Sequence, residues 1–263
     1  MDYSYWKKQE PGKPLFADVA WSRPEQRARA GRLGIVGGSN GMITAPAGAY
    51  GTALKTGAGE VKVLLPDIMK RKLPPTMTDV TFGASNPSGS LSRDALNELL
   101  ALGQWSDGIL LIGDAGRNSE TAIIYEQFSH DYSGPLTITR DAVDLLKNTY
   151  ATLADRPNTL LVMSFAQAQK LFQSLYYPKV LTFSMNLTAF VEALHKFTIT
   201  YPVALSVLHT GQLVIAHDGN VSTTPWESAM SIWRGDVAAH ASVYWLWNPG
   251  KVFEAATTSL VAE

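Results

Sequence analysis

The residues of this chain best suited to chemistry are a run of glycines and three aspartates. Gly37-Gly38-Ser39-Asn40-Gly41 directly follows the apolar run Leu33-Gly34-Ile35-Val36. Glycines at such a place let the backbone approach a ligand closely and adopt positive φ. The N–H groups at the start of the next helix can hold an anion. The run is not a Walker A loop, since GxxxxGK[ST] occurs nowhere, and it is not a GxGxxG fingerprint. Ser39 lacks the GxSxG surroundings of a nucleophile elbow. The competing reading is a plain tight turn between strand and helix.

Asp114 and Asp141 fall at the ends of predicted strands. A carboxylate there either caps the next turn or stands beside a ribose or a magnesium-bound phosphate. Asp236 follows Gly235 and opens an apolar helix, Val237–Leu246. It reads either as a helix N-terminal carboxylate stabilised by the local dipole or as a catalytic base. Ser119 is predicted to cap the helix after Gly116-Arg117, and Arg117 could instead pair with a phosphate. The histidines, His130, His195, His209, His217 and His240, form no HExxH or other compact ligand set, so no metal site is predicted. His195 reads as structural. Trp233, Tyr244, Trp245 and Trp247 read as core or subunit interface, with base stacking as the alternative. Arg234-Gly235-Asp236 spells an adhesion tripeptide, a coincidence in a chain without a secretory signal.

These residues need a scaffold, and the hydrophobic pattern supplies one. Short β-branched runs predict strands at Leu33–Val36, Val61–Leu65, Ile109–Ile112, Leu136–Thr139, Leu160–Met163, Val203–Leu208 and Leu213–Ala216. Helices are predicted near Ala45–Lys55, Ser92–Leu102, Ser119–His130, Ala142–Lys147, Ala166–Ser174, Leu187–Thr200, Asp236–Leu246 and Lys251–Val261. Such alternation predicts an α/β fold, a mostly parallel sheet with helices on both faces. The last two strands break the rhythm: His209-Thr210-Gly211 joins them as a tight antiparallel hairpin. Ligands in such sheets sit beyond the carboxyl ends of the strands. Residues 1 to about 30 show no period and are expected to form an arm packed on the domain or on a second subunit. Residues 31–263 are expected to form one domain, with no linker dividing them.

Composition narrows the partners. The chain has 263 residues, 46% of them hydrophobic, enough for one sizeable core. Its 22 Lys and Arg against 23 Asp and Glu give a net charge of −1, which argues against a non-specific polyanion binder such as a nucleic-acid coat. The absence of cysteine excludes disulfides, thiolate metal sites and a cysteine nucleophile. The N-terminus has no apolar core like that of a signal peptide and no uninterrupted apolar stretch is long enough to span a bilayer, so a cytoplasmic protein is expected. A small-molecule substrate and a homo-oligomer are further expectations.

Beyond the first strand the order of motifs is itself informative. Gly37-Gly38-Ser39-Asn40-Gly41-Met42-Ile43-Thr44-Ala45-Pro46 continues into Ala53-Leu54-Lys55-Thr56-Gly57-Ala58-Gly59-Glu60-Val61. This resembles the GGSxGxxGAP…ALRxGAGxV signature of the ADP/ATP-dependent NAD(P)H-hydrate dehydratases, ribokinase-like proteins that repair hydrated nicotinamide cofactors. Leu111-Ile112-Gly113-Asp114-Ala115-Gly116-Arg117 resembles the family's LIGPGLGR, one residue shorter. Asp141-Ala142-Val143-Asp144-Leu145-Leu146 resembles the end of its DADALNLL, and Arg234-Gly235-Asp236-Val237 resembles GTGDVLAG. The resemblance spans roughly residues 31 to 250.

The resemblance implies a ribokinase-like three-layer α/β/α fold and a two-step reaction. Nucleotide phosphorylates the ring hydroxyl of NADHX or NADPHX, and loss of phosphate restores the double bond. It implies ATP or ADP with Mg2+ as cofactors. Asp236 would be the catalytic base. Gly37, Gly38, Ser39, Asn40, Ala45, Asp114, Gly116 and Asp141 would line the substrate side. His209, Thr210, Gly211, Arg234 and Gly235 would line the nucleotide side. The chain departs from the pattern at Trp233 and His240, which replace glycines of the GTGD block. His209-Thr210 replaces Lys-Gly, Thr139 replaces the first Asp of DAD, and Ser164-Phe165-Ala166-Gln167 stands in place of HPGE. These departures carry the alternative: a divergent ribokinase-like protein that binds a nucleotide or dinucleotide without dehydratase activity, or a kinase for another small hydroxylated metabolite.

Overall fold

The structure, a computed structural model, describes residues 3–261. Among these residues ten strands form one sheet: β1 (Trp6–Lys8), β2 (Arg32–Gly37), β3 (Glu60–Pro66), β4 (Val80–Gly83), β5 (Gly108–Gly113), β6 (Leu136–Thr139), β7 (Thr159–Met163), β8 (Ala204–His209), β9 (Gln212–His217) and β10 (Asn220–Pro225). Their order across the sheet is β1-β10-β9-β8-β7-β6-β5-β2-β3-β4. Every neighbouring pair runs parallel except those made by β9, which is antiparallel to both β8 and β10.

Helices cover both faces, giving a three-layer α/β/α fold. They are α1 (Ala17–Ala20), α2 (Thr44–Thr56), α3 (Leu96–Trp105), α4 (Ser119–Asp131), α5 (Asp141–Leu145), α6 (Tyr150–Asp155), α7 (Phe165–Ser174), α8 (Leu187–Thr200), α9 (Ala229–Arg234), α10 (Asp236–Trp247) and α11 (Val252–Thr258). The strands divide their side chains between two cores, as the period of two requires. On β5, Ile109 and Leu111 join the layer built by α3 to α8, while Leu110 and Ile112 join the layer built by α1, α2 and α9 to α11. Both faces of the central strands are buried, which is why they read as continuous apolar runs.

The expected hairpin is present. His209 pairs with Gln212, and Thr210 and Gly211 take φ of 47° and 71°, the two left-handed residues of a type I′ turn. β10 then extends the hairpin into a meander. This strand was not anticipated, because Val-Ser-Thr-Thr carries no apolar alternation. Its hydroxyls are instead buried and bonded: Ser222 Oγ lies 2.6 Å from Thr257 Oγ1, and Gln9 Nε2 donates to Thr224 Oγ1 at 3.1 Å. Residues 3–30 pack on the domain. β1 pairs with β10, Gln9 Nε2 donates to Thr257 O at 2.7 Å, and Val19 is fully buried. The expected helix from Ser92 opens instead as a single 3-10 turn, Arg93–Ala95, before α3 begins. Asn118, not Ser119, caps α4: its side chain accepts the Glu120 N–H at 2.8 Å.

Candidate functional site

The glycine turn sits at the carboxyl end of β2. Gly37 abuts β5 so closely that a Cβ on it would lie 2.3 Å from Gly113 O. Gly38, at φ 80°, donates its N–H to the same carbonyl at 2.9 Å. The turn is thereby fixed to the loop that follows β5. There Ser39 Oγ, buried, donates to Asp114 O at 2.7 Å. Asp114 Oδ2 accepts the Ala45 N–H at 2.8 Å, capping the start of α2 from another element. Asp141 in turn accepts the N–H groups of Asp114 (2.8 Å) and Ala115 (3.0 Å).

Seven of the eight residues expected on the substrate side therefore meet in one compact wall. Gly37, Gly38, Ser39, Ala45, Asp114 and Asp141 are linked as above, and Gly116 stands against Ser90 and Ser39. Asn40 lies at the exposed rim, bonded through its N–H to Gly89 O at 2.9 Å and through Oδ1 to Lys72 Nζ at 2.8 Å. Burial pushes the Asp141 carboxyl above the usual carboxylate range, against the pull of the N–H groups it accepts.

Asp236 packs against the middle of α2. It is the first residue of α10, and Thr52 Oγ1 on α2 donates to its Oδ1 at 3.2 Å. No side chain caps α10, so its first N–H groups are not satisfied by a capping side chain. Gly235 precedes it at φ 89°, and a Cβ there would meet Ile112 Cδ1 at 2.3 Å. Glycine at this point is required both by the left-handed backbone and by space. One turn into α10, His240 Nδ1 pairs with Thr56 Oγ1 at 2.9 Å, and burial lowers its pKa.

The remaining residues expected on the nucleotide side lie on the β8–β9 hairpin and at the end of α9. His209 is buried, stacked on Phe165 with ring centroids 4.6 Å apart, and its Nε2 donates to Met185 O at 2.8 Å. That ring nitrogen is thus committed to the fold. Thr210 and Gly211 form the hairpin turn, where Gly211 O accepts the Trp226 N–H at 2.9 Å. Arg234 is exposed at the end of α9.

A cavity of about 200 Å³ opens at the carboxyl ends of β6, β7 and β8, beneath α9. Phe165, Leu208 and Trp233 form its apolar walls, and Thr139, Arg140 and Gln167 its polar ones. Several departures from the resembled motifs, Thr139, the 164–167 segment and Trp233, thus line one space. Ser164 and Gln167 form a capping box that starts α7, and Gln167 Nε2 also donates to Arg140 O at 2.8 Å. Arg140 was not singled out from the sequence. The available signal was a cation placed directly after an apolar strand and before Asp141. Its Nη2 donates to Asp114 Oδ1, so it joins the cavity to the glycine wall.

No protein-family model matches the chain. A bifunctional NAD(P)H-hydrate repair enzyme from Methanothermobacter thermautotrophicus is 30% identical over 119 residues, which is 44% of this chain and 23% of the relative's length. Among solved structures, a ribokinase-like superfamily protein from Enterococcus faecalis superimposes with a TM-score of 0.71 at 13% identity, covering 100% of this chain and 88% of the other. The ADP/ATP-dependent NAD(P)H-hydrate dehydratase of Bacillus subtilis, co-crystallised with ATP/Mg2+ and soaked with CoA, superimposes with a TM-score of 0.59 at 12% identity, covering 93% and 84%. The chain has the ribokinase-like fold. No helix among the described residues is long and apolar enough to cross a membrane.

Proposed function

We propose that this chain binds a nucleotide across the cleft between the glycine wall and the start of α10, and uses it to dehydrate a hydrated nicotinamide cofactor. One observation carries the reading: Asp236 stands at an uncapped helix start, 3.2 Å from a hydroxyl of α2, the helix whose N-terminus forms the glycine wall. A phosphoryl group at the α10 amides would face a ring hydroxyl held near Gly38 and Ala45. Asp236 would take the hydroxyl proton as the oxygen attacks the terminal phosphorus of ATP or ADP. The shortened nucleotide leaves, and loss of phosphate from the ring together with a proton from the adjacent ring carbon then restores the double bond. Such a reaction depends on placement and on charge stabilisation more than on covalent chemistry. Mg2+ would arrive on the nucleotide phosphates, since no group of three or more His, Asp or Glu among the described residues could hold it alone.

The motif order in the sequence and the partial match to a hydrate repair enzyme support the substrate. A second reading, binding without turnover, is favoured by His209, whose Nε2 is already bonded to Met185 O. Release of phosphate from NADHX or NADPHX with ATP or ADP and Mg2+ separates the two. Activity that vanishes in Asp236→Asn, with nucleotide affinity retained, supports dehydration. Absence of hydrate-dependent phosphate release in the wild-type protein refutes it.

A further inference from the structure

The least economical residue in the cleft is Arg140. It follows β6 with φ 58° and ψ −138°, a backbone region that glycine tolerates and other residues adopt at a cost. Its guanidinium is largely withdrawn from solvent and only partly used. Nη2 is paired with Asp114, while Nε is buried and has no hydrogen-bond partner among the described residues. Thr139, one residue earlier and 1% exposed, carries a second such atom, Oγ1. Both residues line the cavity of about 200 Å³.

Two further facts orient this group. A Cβ on Gly235 would lie 3.7 Å from Arg140 Cδ, so the arginine stem runs past the start of α10. His209, stacked on the cavity residue Phe165, has its Nε2 bonded to Met185 O. Arg140 is therefore a donor beside both the start of α10 and an apolar space the size of a flat ring. An engineered cavity of about 150 Å³ accepts benzene, which sets the scale.

We propose that Arg140 is the anion receptor of this cleft, taking a phosphate oxygen of a nucleotide in competition with Asp114. The proposal rests on the nucleotide reading above and deepens it: the ligand is a phosphorylated one, recognised by a side-chain cation. Asp114 acts as the resident counter-ion. It keeps its bond to the Ala45 N–H when the ligand draws the guanidinium away.

Isothermal titration of the full chain with ATP, AMP and adenosine, each with Mg2+, tests this. The wild-type protein is expected to bind ATP at least about tenfold more tightly than adenosine, the scale of one charge-assisted hydrogen bond. Arg140→Gln is expected to remove that preference and leave adenosine affinity unchanged. Asp114→Asn keeps an acceptor for Ala45 but removes the competing charge, so ATP affinity should rise severalfold. A purely structural ion pair would lower affinity in both variants. Wild-type protein that binds none of the three ligands overturns the nucleotide reading and this proposal together. ATP binding that is unchanged in Arg140→Gln, or that does not rise in Asp114→Asn, overturns the role of Arg140 alone. Should Arg140→Gln fail to give a cooperative melt, Asp114→Asn decides.

Discussion

Gly235→Ala offers a sharp physical test of the cleft, because two separable costs meet at one position. The first is conformational: at φ 89° a Cβ is strained, at about 1–2 kcal/mol. The second is steric: the new methyl would lie 2.3 Å from Ile112 Cδ1, and overpacking of a filled core costs about 1–3 kcal/mol. Together they predict a loss of about 2–4 kcal/mol in urea unfolding, since the Ile112 tip gives way only in part. Ile112→Val removes the contacting atom and by itself should cost about 0.5–1.5 kcal/mol. The nearest remaining atom, Cγ1 at 3.3 Å, is tolerable. In the double variant only the backbone strain should persist, so the two changes should fall short of additivity by about 1 kcal/mol or more. A Gly235→Ala loss under about 0.5 kcal/mol, or strict additivity with Ile112→Val, would refute the geometry assigned to the start of α10.

Other outcomes follow from burial. His240 and His217 both have pKa values lowered by burial below the ordinary 6.5. Their neutral forms are favoured on folding, so the unfolded chain binds protons first as pH falls. The stability they contribute is full above about pH 6.5 and is lost as pH drops through their folded values. Replacing either with Gln should flatten part of that slope in chemical denaturation curves, and an unchanged slope in both variants would contradict it. Arg156 is nearly buried and donates to Ser129 O, Gly134 O, Asn158 O and Thr159 Oγ1 at 2.7–3.0 Å. Desolvation brings its pKa down to about 10. Arg156→Met should cost at least about 3 kcal/mol, from several carbonyls left without donors. A thermal melt within a degree or two of wild type would show that water replaces those bonds.

What the sequence disclosed and what it withheld have physical causes. Strands β2, β3 and β5 to β9 were legible because both faces of a central strand are apolar. The turn after β8 was legible because it needs left-handed residues. β10 was hidden because its buried positions carry hydroxyls, which partner Gln9 and Thr257 from opposite ends of the chain. The glycine wall was legible as a local run, and the structure does join it to Asp114 and Asp141. Arg140 was hidden because its meaning depends on Asp114, 26 positions away, and on an unpaired Nε that no pattern reveals. At His209 the local pattern revealed only the hairpin; the stack on Phe165 and the bond to Met185 O come from distant elements.

The charges in the cleft are arranged with a definite polarity. On the glycine side, the anion that a helix N-terminus attracts is already supplied by the protein, since Asp114 occupies the start of α2. A ligand lying there gains nothing from carrying its own negative charge and would be repelled by Asp114 and Asp141. It is best matched by an uncharged ring with hydroxyl or amide donors. Arg140 lies directly beside the Asp114 carboxylate, paired with it through Nη2 and with its Nε unpartnered, and α10 begins without a side-chain cap, so negative charge is favoured on that flank. Asp236 stands at the start of α10, beside Thr52. A neutral hydroxylated ring would thus suit the Asp114–Asp141 side and a phosphate the Arg140 flank, the kind of placement on which phosphoryl transfer to a hydroxyl depends.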